Sequence, residues 1–413
     1  MAHRGEVVWT DVVGLADVKS GVEVTPEHQF QVGSITKTFT AVTVMRLREA
    51  GALALDDRLS DHLESYPHAS ATIRQLLAHA SGLQRELPGA SWETFEFPSS
   101  EELLGRLGDV EHVVGAHEHF HYSNLAFALL GEVVSVRTGR PYADYVEAEI
   151  LAPLGLGRTA WSASDPVATG YFVEPWSDTV RPERPLDLGG ADSAGGLWST
   201  ASDLCRWGAF LTDPDARVLS AEASAAMHTP QIVVDPDRWT SAWGLGLGLD
   251  RRGERIFAGH TGGMPGFLSG LAYARKERVS AAVLLNTESR IDPGSLAVDL
   301  AERAADAFPA EPEPWRPGEQ VPEQLAGLLG PWWSEGTEFV FSWRGGRLEA
   351  RSAEAGPEND PAVFEPDGDD AYRTVSGRER GEALRIVRAE DGSVTKLYWA
   401  TYPFTRDPRP FTE

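Results

Sequence analysis

The chain has 413 residues, of which 42% are hydrophobic and 24% charged, and its formal net charge is −25 at pH 7. This length predicts two or three domains, each large enough to bury a core of its own. The acidic balance argues against a nucleic-acid partner, because such a partner requires a clustered basic surface. The single cysteine, Cys205, excludes an internal disulfide and a zinc site built from several cysteines.

The N-terminal segment, MAHRGEVVWTDVVG, has no apolar run long enough for a signal peptide, and no later stretch is typical of a transmembrane helix. The sequence as given therefore predicts a cytoplasmic protein without a membrane segment. Residues 6–15 are rich in valine and are expected to form the first strand.

Helices dominate the next part of the predicted structure. Residues 34–50 are apolar and are followed by Gly51, which is typical of a buried helix that has Ser34 as its N-cap. Further helices are predicted over 72–79 and 125–138. The middle of the chain is therefore expected to be mostly helical.

The pattern changes to strands after residue 254. A turn is expected at Gly262-Gly263, and the predicted strands are 255–260, 266–274 and 279–286, followed by an amphipathic helix over 295–308. This order predicts an α/β (α+β) fold, in which an antiparallel sheet is flanked by helices and carries an inserted helical lobe. We assign residues 1–308 to this domain.

A second, smaller domain is expected at the C-terminus. The proline-rich, acidic segment 309–322 is predicted to be a stiff linker. Residues 323–413 contain short predicted strands without helices, at 338–343, 347–351, 362–365, 372–375, 383–388 and 394–400. This regular spacing predicts a small antiparallel β-barrel.

Two segments have the spacing Ser-x-x-Lys. Ser34 and Lys37 lie on a predicted helix, where positions i and i+3 share a face, so the amine can lie against the hydroxyl. Burial there would lower the lysine pKa toward that of a usable base. Ser393 and Lys396 instead follow a hairpin turn and enter a strand, where residues three apart point to opposite faces. Only the first pair is therefore predicted to be catalytic.

Two further motifs carry polar groups that such a serine needs. Tyr122 and Asn124, directly before the helix at 125–138, offer a phenol for proton transfer and an amide for a substrate carbonyl. At the end of a predicted strand, His260 and Thr261 precede two glycines, and the backbone N–H of the second can help to form an oxyanion hole. Taken alone, the first motif is most often a helix cap and the second a β-turn.

A rival interpretation concerns metal binding. His117, His119 and His121 occupy alternate positions, and in an extended segment they would share one face, as metal ligands do. The favoured interpretation is a polar strand that leads to Tyr122. No metal and no other cofactor is therefore expected.

Together, these motifs resemble the penicillin-recognising serine enzymes, and most closely their class C β-lactamase-like branch. That branch also contains D-aminopeptidases, esterases and thioesterases of the penicillin-binding-protein type. The resemblance extends over about residues 5–308, and residues 323–413 are similar to the lipocalin-like modules of some members. The surrounding segments that carry it are QVGSITKTFTA at 31–41, TIRQLLAHASGL at 72–83, LAPLGL at 151–156 and SAGGLWSTASDL at 193–204.

The resemblance implies a role for each motif. Ser34 would be the nucleophile, and Lys37 and Tyr122 would handle its proton. The backbone N–H groups of Ser34 and Gly263 would form the oxyanion hole. The side chains expected to contact the substrate are Asn124, which would orient the acyl chain, His260 and Thr261.

One position departs from the pattern of true β-lactamases, which usually have lysine where this chain has His260. A fixed cation there receives the substrate carboxylate, whereas a histidine with an ordinary pKa of roughly 6.5 is mostly neutral at pH 7. Neutral esters, amides or thioesters are therefore expected to be better substrates than penicillins. The chain also begins almost inside the family's first hairpin, so a start upstream of Met1 is a second hypothesis.

The sequence thus predicts a serine hydrolase or acyl transferase that forms an acyl-enzyme on Ser34 with a D-configured peptide, an ester or a thioester. Three alternatives remain open: a stand-alone thioesterase of the penicillin-binding-protein type that cyclises nonribosomal peptides, a true β-lactamase, and a catalytically silent binding protein. The expected partner is a small-molecule or peptide substrate. For the thioesterase it is a carrier-bound or thioester-linked peptide.

Overall fold

The structure of the chain is a computed structural model that describes residues 1–63, 70–177, 179–288, 291–311, 317–318, 320–356 and 359–409. The chain divides into two compact units, Met1–Glu311 and Pro312–Glu413. Of the linker predicted at 309–322, residues 312–316 and 319 lie outside the described residues. No helix in the described part of the chain is long and apolar enough to cross a lipid bilayer.

An antiparallel sheet organises the first unit. The strands of this unit are β1 (Ala2–His3), β2 (Glu6–Val7), β3 (Leu15–Asp17), β4 (Val22–Glu23), β5 (Phe30–Gln31), β6 (Tyr171–Val173), β7 (Val180–Pro182), β8 (Trp198–Ser199), β9 (Ile232–Val233), β10 (Ser241–Trp243), β11 (Gly248–Arg252), β12 (Arg255–Met264), β13 (Phe267–Ala274) and β14 (Val279–Leu285). The strand order in the sheet is β2-β1-β14-β13-β12-β11-β10-β9, and three two-stranded ribbons, β3–β4, β5–β8 and β6–β7, accompany it.

The α-helices of this unit are α1 (Thr36–Glu49), α2 (Ile73–Leu77), α3 (Ser91–Thr94), α4 (Ser100–Gly105), α5 (Asn124–Thr138), α6 (Tyr142–Val146), α7 (Asp192–Gly195), α8 (Ala201–Thr212), α9 (Ala221–Met227) and α10 (Pro293–Ala307). Helices α1 to α9 lie between β5 and β9 in the chain and include the inserted lobe, whereas α10 follows β14. The predicted helices near 72–79, 125–138 and 295–308 are thus present.

Two helices cover the two faces of the sheet. On β14, Val279 and Ala281 pack in one apolar cluster with α10. Between them, the Ser280 hydroxyl donates a hydrogen bond to the carbonyl oxygen of Cys205 on α8. Because successive strand residues point to opposite faces, α8 and α10 lie on opposite sides of the sheet. The predicted fold, an antiparallel sheet flanked by helices, is confirmed.

Helix α1 runs through the main apolar core, and every residue from Thr36 to Met45 is buried. Ser34 precedes it in a 3₁₀ turn over Gly33–Ile35, and the N-cap of α1 is Ile35. The prediction that Ser34 caps the helix is therefore wrong. Because the 3₁₀ turn continues directly into α1, the Ser34 hydroxyl does not bind the helix backbone and is free to meet other side chains.

The glycines after His260 do not form the predicted turn. Strand β12 continues through them to Met264, and the turn lies at Gly266, whose φ is +76°. A Cβ atom at Gly262 would lie 1.9 Å from the carbonyl oxygen of Val32. The turn prediction is wrong because glycine is needed here for the close approach of two backbones.

The predicted strand at 6–15 is also shorter than expected. Strand β2 ends at Val7, and residues 8–14 are exposed and irregular up to β3. In β2, Glu6 and Val7 pair with β1, and the strand lies at the edge of the sheet. The strand predicted over 6–15 was therefore too long, because it was based on valine content, and valine content does not show where an edge strand stops pairing.

The second unit is a nearly closed antiparallel barrel, as predicted. Each strand pairs with its neighbour in the chain, and Trp333 and Thr405 exchange two backbone hydrogen bonds that join the first strand to the end of the last. Buried Trp332, Phe341 and Trp399 belong to the aromatic core of the barrel. The strands are β15 (Gly330–Ser334), β16 (Thr337–Arg344), β17 (Arg347–Ser352), β18 (Ala362–Pro366), β19 (Ala371–Thr374), β20 (Ala383–Arg388), β21 (Val394–Trp399) and β22 (Tyr402–Phe404).

Candidate active site

Ser34 and Lys37 lie in contact, with 3.0 Å between the serine Oγ and the lysine Nζ. Lys37 Nζ also donates hydrogen bonds to Asn124 Oδ1 at 2.7 Å and to the Ala194 carbonyl at 2.6 Å. The amine is fully buried, and this burial lowers the Lys37 pKa well below its usual value. A neutral amine has two hydrogens and one lone pair. Since Asn124 and Ala194 take the hydrogens, the lone pair can accept the Ser34 proton.

Tyr122 lies on the other side of this pair. Its ring centre is 5.0 Å from Lys37 Nζ. Burial raises the Tyr122 pKa, while the nearby Ser34 hydroxyl and the charge of Arg85 act in the opposite direction. The His79 ring packs against Tyr122, with centroids 4.2 Å apart and an angle of 32° between the rings, and so restricts the orientation of the phenol.

Asn124 is placed by the start of helix α5. The preceding residue, Ser123, is the N-cap, and its hydroxyl accepts the Ala126 N–H at 3.0 Å and donates to the Gln84 carbonyl at 2.8 Å. Asn124 Oδ1 accepts from Lys37, and its Nδ2 donates to Glu86. The helix cap that the sequence suggests is thus present, and it also orients the amide within the site.

Strand β12 lies against the turn that carries Ser34. A Cβ atom at Gly33, whose φ is +52°, would lie 2.8 Å from the backbone nitrogen of Gly263. The Ser269 hydroxyl, on the neighbouring strand, donates to the Val32 carbonyl at 2.8 Å. These contacts bring the Gly263 backbone beside Ser34, where the sequence predicts the oxyanion hole. Thr261 is exposed on the same strand and lines the same cavity.

His260 is buried, and its ring centre lies 6.0 Å from that of Tyr122. Its Nδ1 donates to the carbonyl oxygen of Thr261, so the neutral ring carries its hydrogen on Nδ1. Burial, with a smaller contribution from Lys37, lowers the His260 pKa to about 3. The expectation of an ordinary histidine pKa near 6.5 is therefore wrong, because the ring is removed from water. His260 is neutral throughout the physiological range.

A cavity of about 750 Å³ opens beside Ser34. Burial raises the pKa of its one-third-exposed carboxylate, Glu86, while the hydrogen bond from Asn124 and the charges of Lys37 and Arg85 lower it. In the sequence, the only signal for Arg85 and Glu86 is their position shortly after the segment 72–83. The charged and aromatic lining residues that were not predicted are Arg85, Glu86, Trp92, Phe97, Phe120 and Trp243.

The histidines at 117–121 do not form the expected extended segment. His117 lies in a turn with a φ of +60°, and His117 and His119 are exposed. The predicted strand is thus absent here, because residues 116–118 form a turn and residues 120–123 are irregular. Within the described ranges, no group of three or more His, Cys, Asp or Glu residues is placed to hold a metal ion.

Comparisons with known proteins give matches to both units. The chain is 30% identical over 257 residues to Beta-lactamase-like protein 2 of Dictyostelium discoideum, a match that covers 57% of this chain and 46% of that protein. The chain thus spans about half the length of that relative. It is 26% identical to the D-aminopeptidase of Brucella melitensis, with 95% of this chain and 74% of that protein covered.

Among solved structures, the D-amino acid amidase from Ochrobactrum anthropi SV3, complexed with L-phenylalanine amide, is similar with a TM-score of 0.60. It is 27% identical, and the match covers 71% of this chain and 88% of that one. A family model described as a domain of unknown function, DUF7586, matches residues 321–406. The model described as Beta-lactamase matches residues 1–306, so this chain belongs to the Beta-lactamase family and is a serine hydrolase of that family.

Proposed function

We propose that this chain hydrolyses amides and short peptides of D-amino acids that carry a free α-amino group. The D-aminoacyl part of this proposal is supported by the similarity of the chain to a D-aminopeptidase and to a D-amino acid amidase. Within the site, the observation that carries the proposal is the Glu86 carboxylate. It accepts a hydrogen bond from Asn124, the residue expected to orient the acyl chain, and it lines the cavity beside Ser34.

Glu86 has the properties of a receptor for a substrate ammonium group. Aromatic side chains line the same cavity, and desolvation of the Glu86 carboxylate raises its pKa. A protonated amine that docks there would replace the lost hydration by a charge-assisted hydrogen bond. Because burial lowers the Lys37 pKa, the lysine ammonium is disfavoured as a rival for the same carboxylate.

The reaction proceeds through an ester on Ser34. Ser34 Oγ attacks the scissile carbonyl carbon while its proton passes to Lys37, and the oxyanion accepts hydrogen bonds from the backbone N–H groups of Ser34 and Gly263. Tyr122 donates its proton to the leaving nitrogen as the C–N bond breaks, and Lys37 returns a proton to the phenol. Water then attacks the ester carbon and gives a proton to the same pair. The bond from this carbon to Ser34 Oγ breaks, the oxygen regains its hydrogen from the pair, and the free acid leaves.

Hydrolysis of D-phenylalanine amide, L-phenylalanine amide and N-acetyl-D-phenylalanine amide tests this proposal. We expect turnover of the first and little turnover of the other two. Glu86→Gln should lower kcat/KM for the free-amine substrate by roughly ten- to a hundredfold, the value of a hydrogen bond to a charged group. Glu132→Gln removes another partly buried carboxylate outside the cavity and should leave the rates unchanged. Equal rates for the free and acetylated amides would contradict the role of Glu86.

The alternatives predict different products from the same enzyme. A peptide cyclase would convert a peptidyl thioester into a ring, because an internal amine takes the acyl group in place of water. A true β-lactamase would turn over penicillin, and a silent binding protein would form no adduct with it. Intact mass and product mass after incubation with a peptidyl thioester or a penicillin separate these outcomes. We expect hydrolysed thioester and slow formation of a penicillin adduct.

A further inference from the structure

Arg85 is a charged residue of the catalytic cavity to which the mechanism above gives no role. Its guanidinium carbon lies 4.9 Å from the centre of the Tyr122 ring, within the range of a cation–π contact. Its side chain is 62% exposed, and its Nε is 3.9 Å from a Glu86 carboxylate oxygen. Arg85 thus faces the phenol rather than a close ion-pair partner.

We propose that Arg85 is a positioning residue for the proton-handling pair, Lys37 and Tyr122. Its permanent charge, held against the phenol ring, favours the neutral amine of Lys37, which accepts the Ser34 proton, and makes the Tyr122 phenol a stronger acid. This inference rests on the roles proposed for Lys37 and Tyr122, and it is independent of the substrate.

The positive charge of Arg85 lowers both the pKa of Lys37 and the pKa of Tyr122. A nearby positive charge disfavours the lysine ammonium, so Arg85 adds to the decrease that burial causes in the Lys37 pKa. The same charge favours a phenolate, so Arg85 opposes the increase that burial causes in the Tyr122 pKa. The first effect keeps the Lys37 amine free to accept the Ser34 proton, and the second makes the Tyr122 phenol a better donor to the leaving nitrogen.

The other titratable groups that face the pair cannot supply this charge. His79 and His260 are buried, and burial lowers both of their pKa values, so both are neutral at physiological pH. Glu86 has the opposite effect, since its negative charge raises the pKa of Lys37 and of Tyr122. Among the described residues that line the cavity, Arg85 is the one with a permanent positive charge.

Solvent limits the size of the effect. Arg85 is well exposed, so its field is screened by water and salt. A contribution of the size found for exposed charge pairs changes a rate by about two- to fivefold. We therefore expect a moderate loss on its removal, which becomes smaller as the ionic strength increases.

The rate at which a fluorophosphonate labels Ser34, measured against pH, tests the proposal. In this step Ser34 Oγ bonds to phosphorus, fluoride leaves, and the serine proton passes to Lys37. The probe carries neither an amine nor a carboxylate. Labelling by Arg85→Ala should be about two- to fivefold slower near neutral pH, with the acidic limb of the profile shifted to higher pH, and Arg85→Lys should restore both. Arg238→Ala is the matched control, because Arg238 is 80% exposed and also 3.9 Å from a carboxylate, that of Asp235.

An unchanged labelling profile in Arg85→Ala, together with a higher KM for D-phenylalanine amide, would overturn the proposal and make Arg85 a substrate contact. A loss that Arg85→Lys does not restore would also overturn it, because charge alone would not explain the effect. The proposed substrate class is tested separately. If the wild type is labelled normally by the fluorophosphonate but does not turn over D-phenylalanine amide, the substrate class is refuted. The labelling rates of the Arg85 variants still decide the role of Arg85.

Discussion

The chain contains the spacing Ser-x-x-Lys twice, and the two copies lie in opposite environments. Lys37 is fully buried, and its amine contacts the Ser34 hydroxyl at 3.0 Å. Ser393 is exposed, and its hydroxyl donates instead to Asp391 at 2.6 Å, within a hairpin turn. Lys396 lies on β21, with its amine 5.2 Å from the centre of an aromatic ring on the same strand.

The difference shows what turns a serine and a lysine into a nucleophile and a base. In the first copy, the core surrounds the amine, lowers its pKa and provides two carbonyl acceptors that direct its lone pair. In the second copy, neither the enclosed space nor the acceptors are present among the described residues. The spacing is common to both copies, so the environment carries the chemistry.

The largest effect is expected for the two serines. Ser34→Ala should abolish hydrolysis of D-phenylalanine amide and covalent labelling by a fluorophosphonate, because the attacking oxygen is removed. A loss of several orders of magnitude is expected, as for other residues that act as one catalytic unit. Ser393→Ala should leave both near wild type, and labelling that persists in Ser34→Ala would assign the nucleophile elsewhere. Intact mass of the labelled protein is the measurement.

The two lysines give the next largest contrast. Lys37→Met should lower the labelling rate by on the order of a thousandfold, because it removes the amine that lies 3.0 Å from Ser34 Oγ and accepts its proton. Lys396→Met should have no effect on labelling. Thermal unfolding of both variants provides the control for folding. A Lys37→Met protein that is folded and labels at a normal rate would show that Tyr122 alone is the base.

Much of this contrast could be predicted from the sequence. Ser34 precedes a long apolar run with helical character, whereas Ser393 follows Asp391-Gly392 in a hairpin. Local pattern therefore separated helix from strand, and it also predicted the barrel and the capped helix that holds Asn124. These features depend on short-range chain geometry, which the sequence expresses directly.

The parts that could not be predicted depend on contacts between distant segments. Arg85 and Glu86 lie in a loop, and only the packing of that loop against α5 brings them to Ser34. The wrong prediction of a turn at Gly262 has a different cause. A tight turn and a close approach of two backbones both require glycine, so the residue type does not distinguish between them. The pKa of His260 depends on its burial, which a single residue in a predicted strand does not reveal.

The glycines provide a third contrast of intermediate size. In Gly262→Ala the new methyl group would lie 1.9 Å from the Val32 carbonyl oxygen and would push β12 away from the Ser34 turn. Since a displacement of about 1 Å can cost a hundredfold in rate, we expect a loss of about that size in labelling. Gly392→Ala meets no atom within 4 Å, and its φ of +81° should cost about 1 kcal/mol of stability without loss of labelling. Equal labelling by the two variants would contradict the proposed contact.

The smallest effect is expected at His260, which decides how the site treats a carboxylate. Because the His260 pKa is about 3, the ring gains a proton only far below neutral pH. Acylation of the wild type by penicillin, divided at each pH by its rate of fluorophosphonate labelling, should therefore stay constant between about pH 5 and pH 8. This ratio cancels the titration of Lys37, which affects both reactions. A ratio that increases as the pH falls toward 5 would show that His260 titrates near its ordinary value.

The variant His260→Lys gives the matching positive test. A lysine in this position places a cation where the penicillin carboxylate would otherwise be desolvated without a partner. The gain should be about tenfold, the value of a charge-assisted hydrogen bond. It should be absent with p-nitrophenyl acetate, which has no carboxylate. Rapid acylation of the wild type at every pH would instead mean that another cation receives the carboxylate, and Arg85 is the one permanently charged candidate among the described cavity residues.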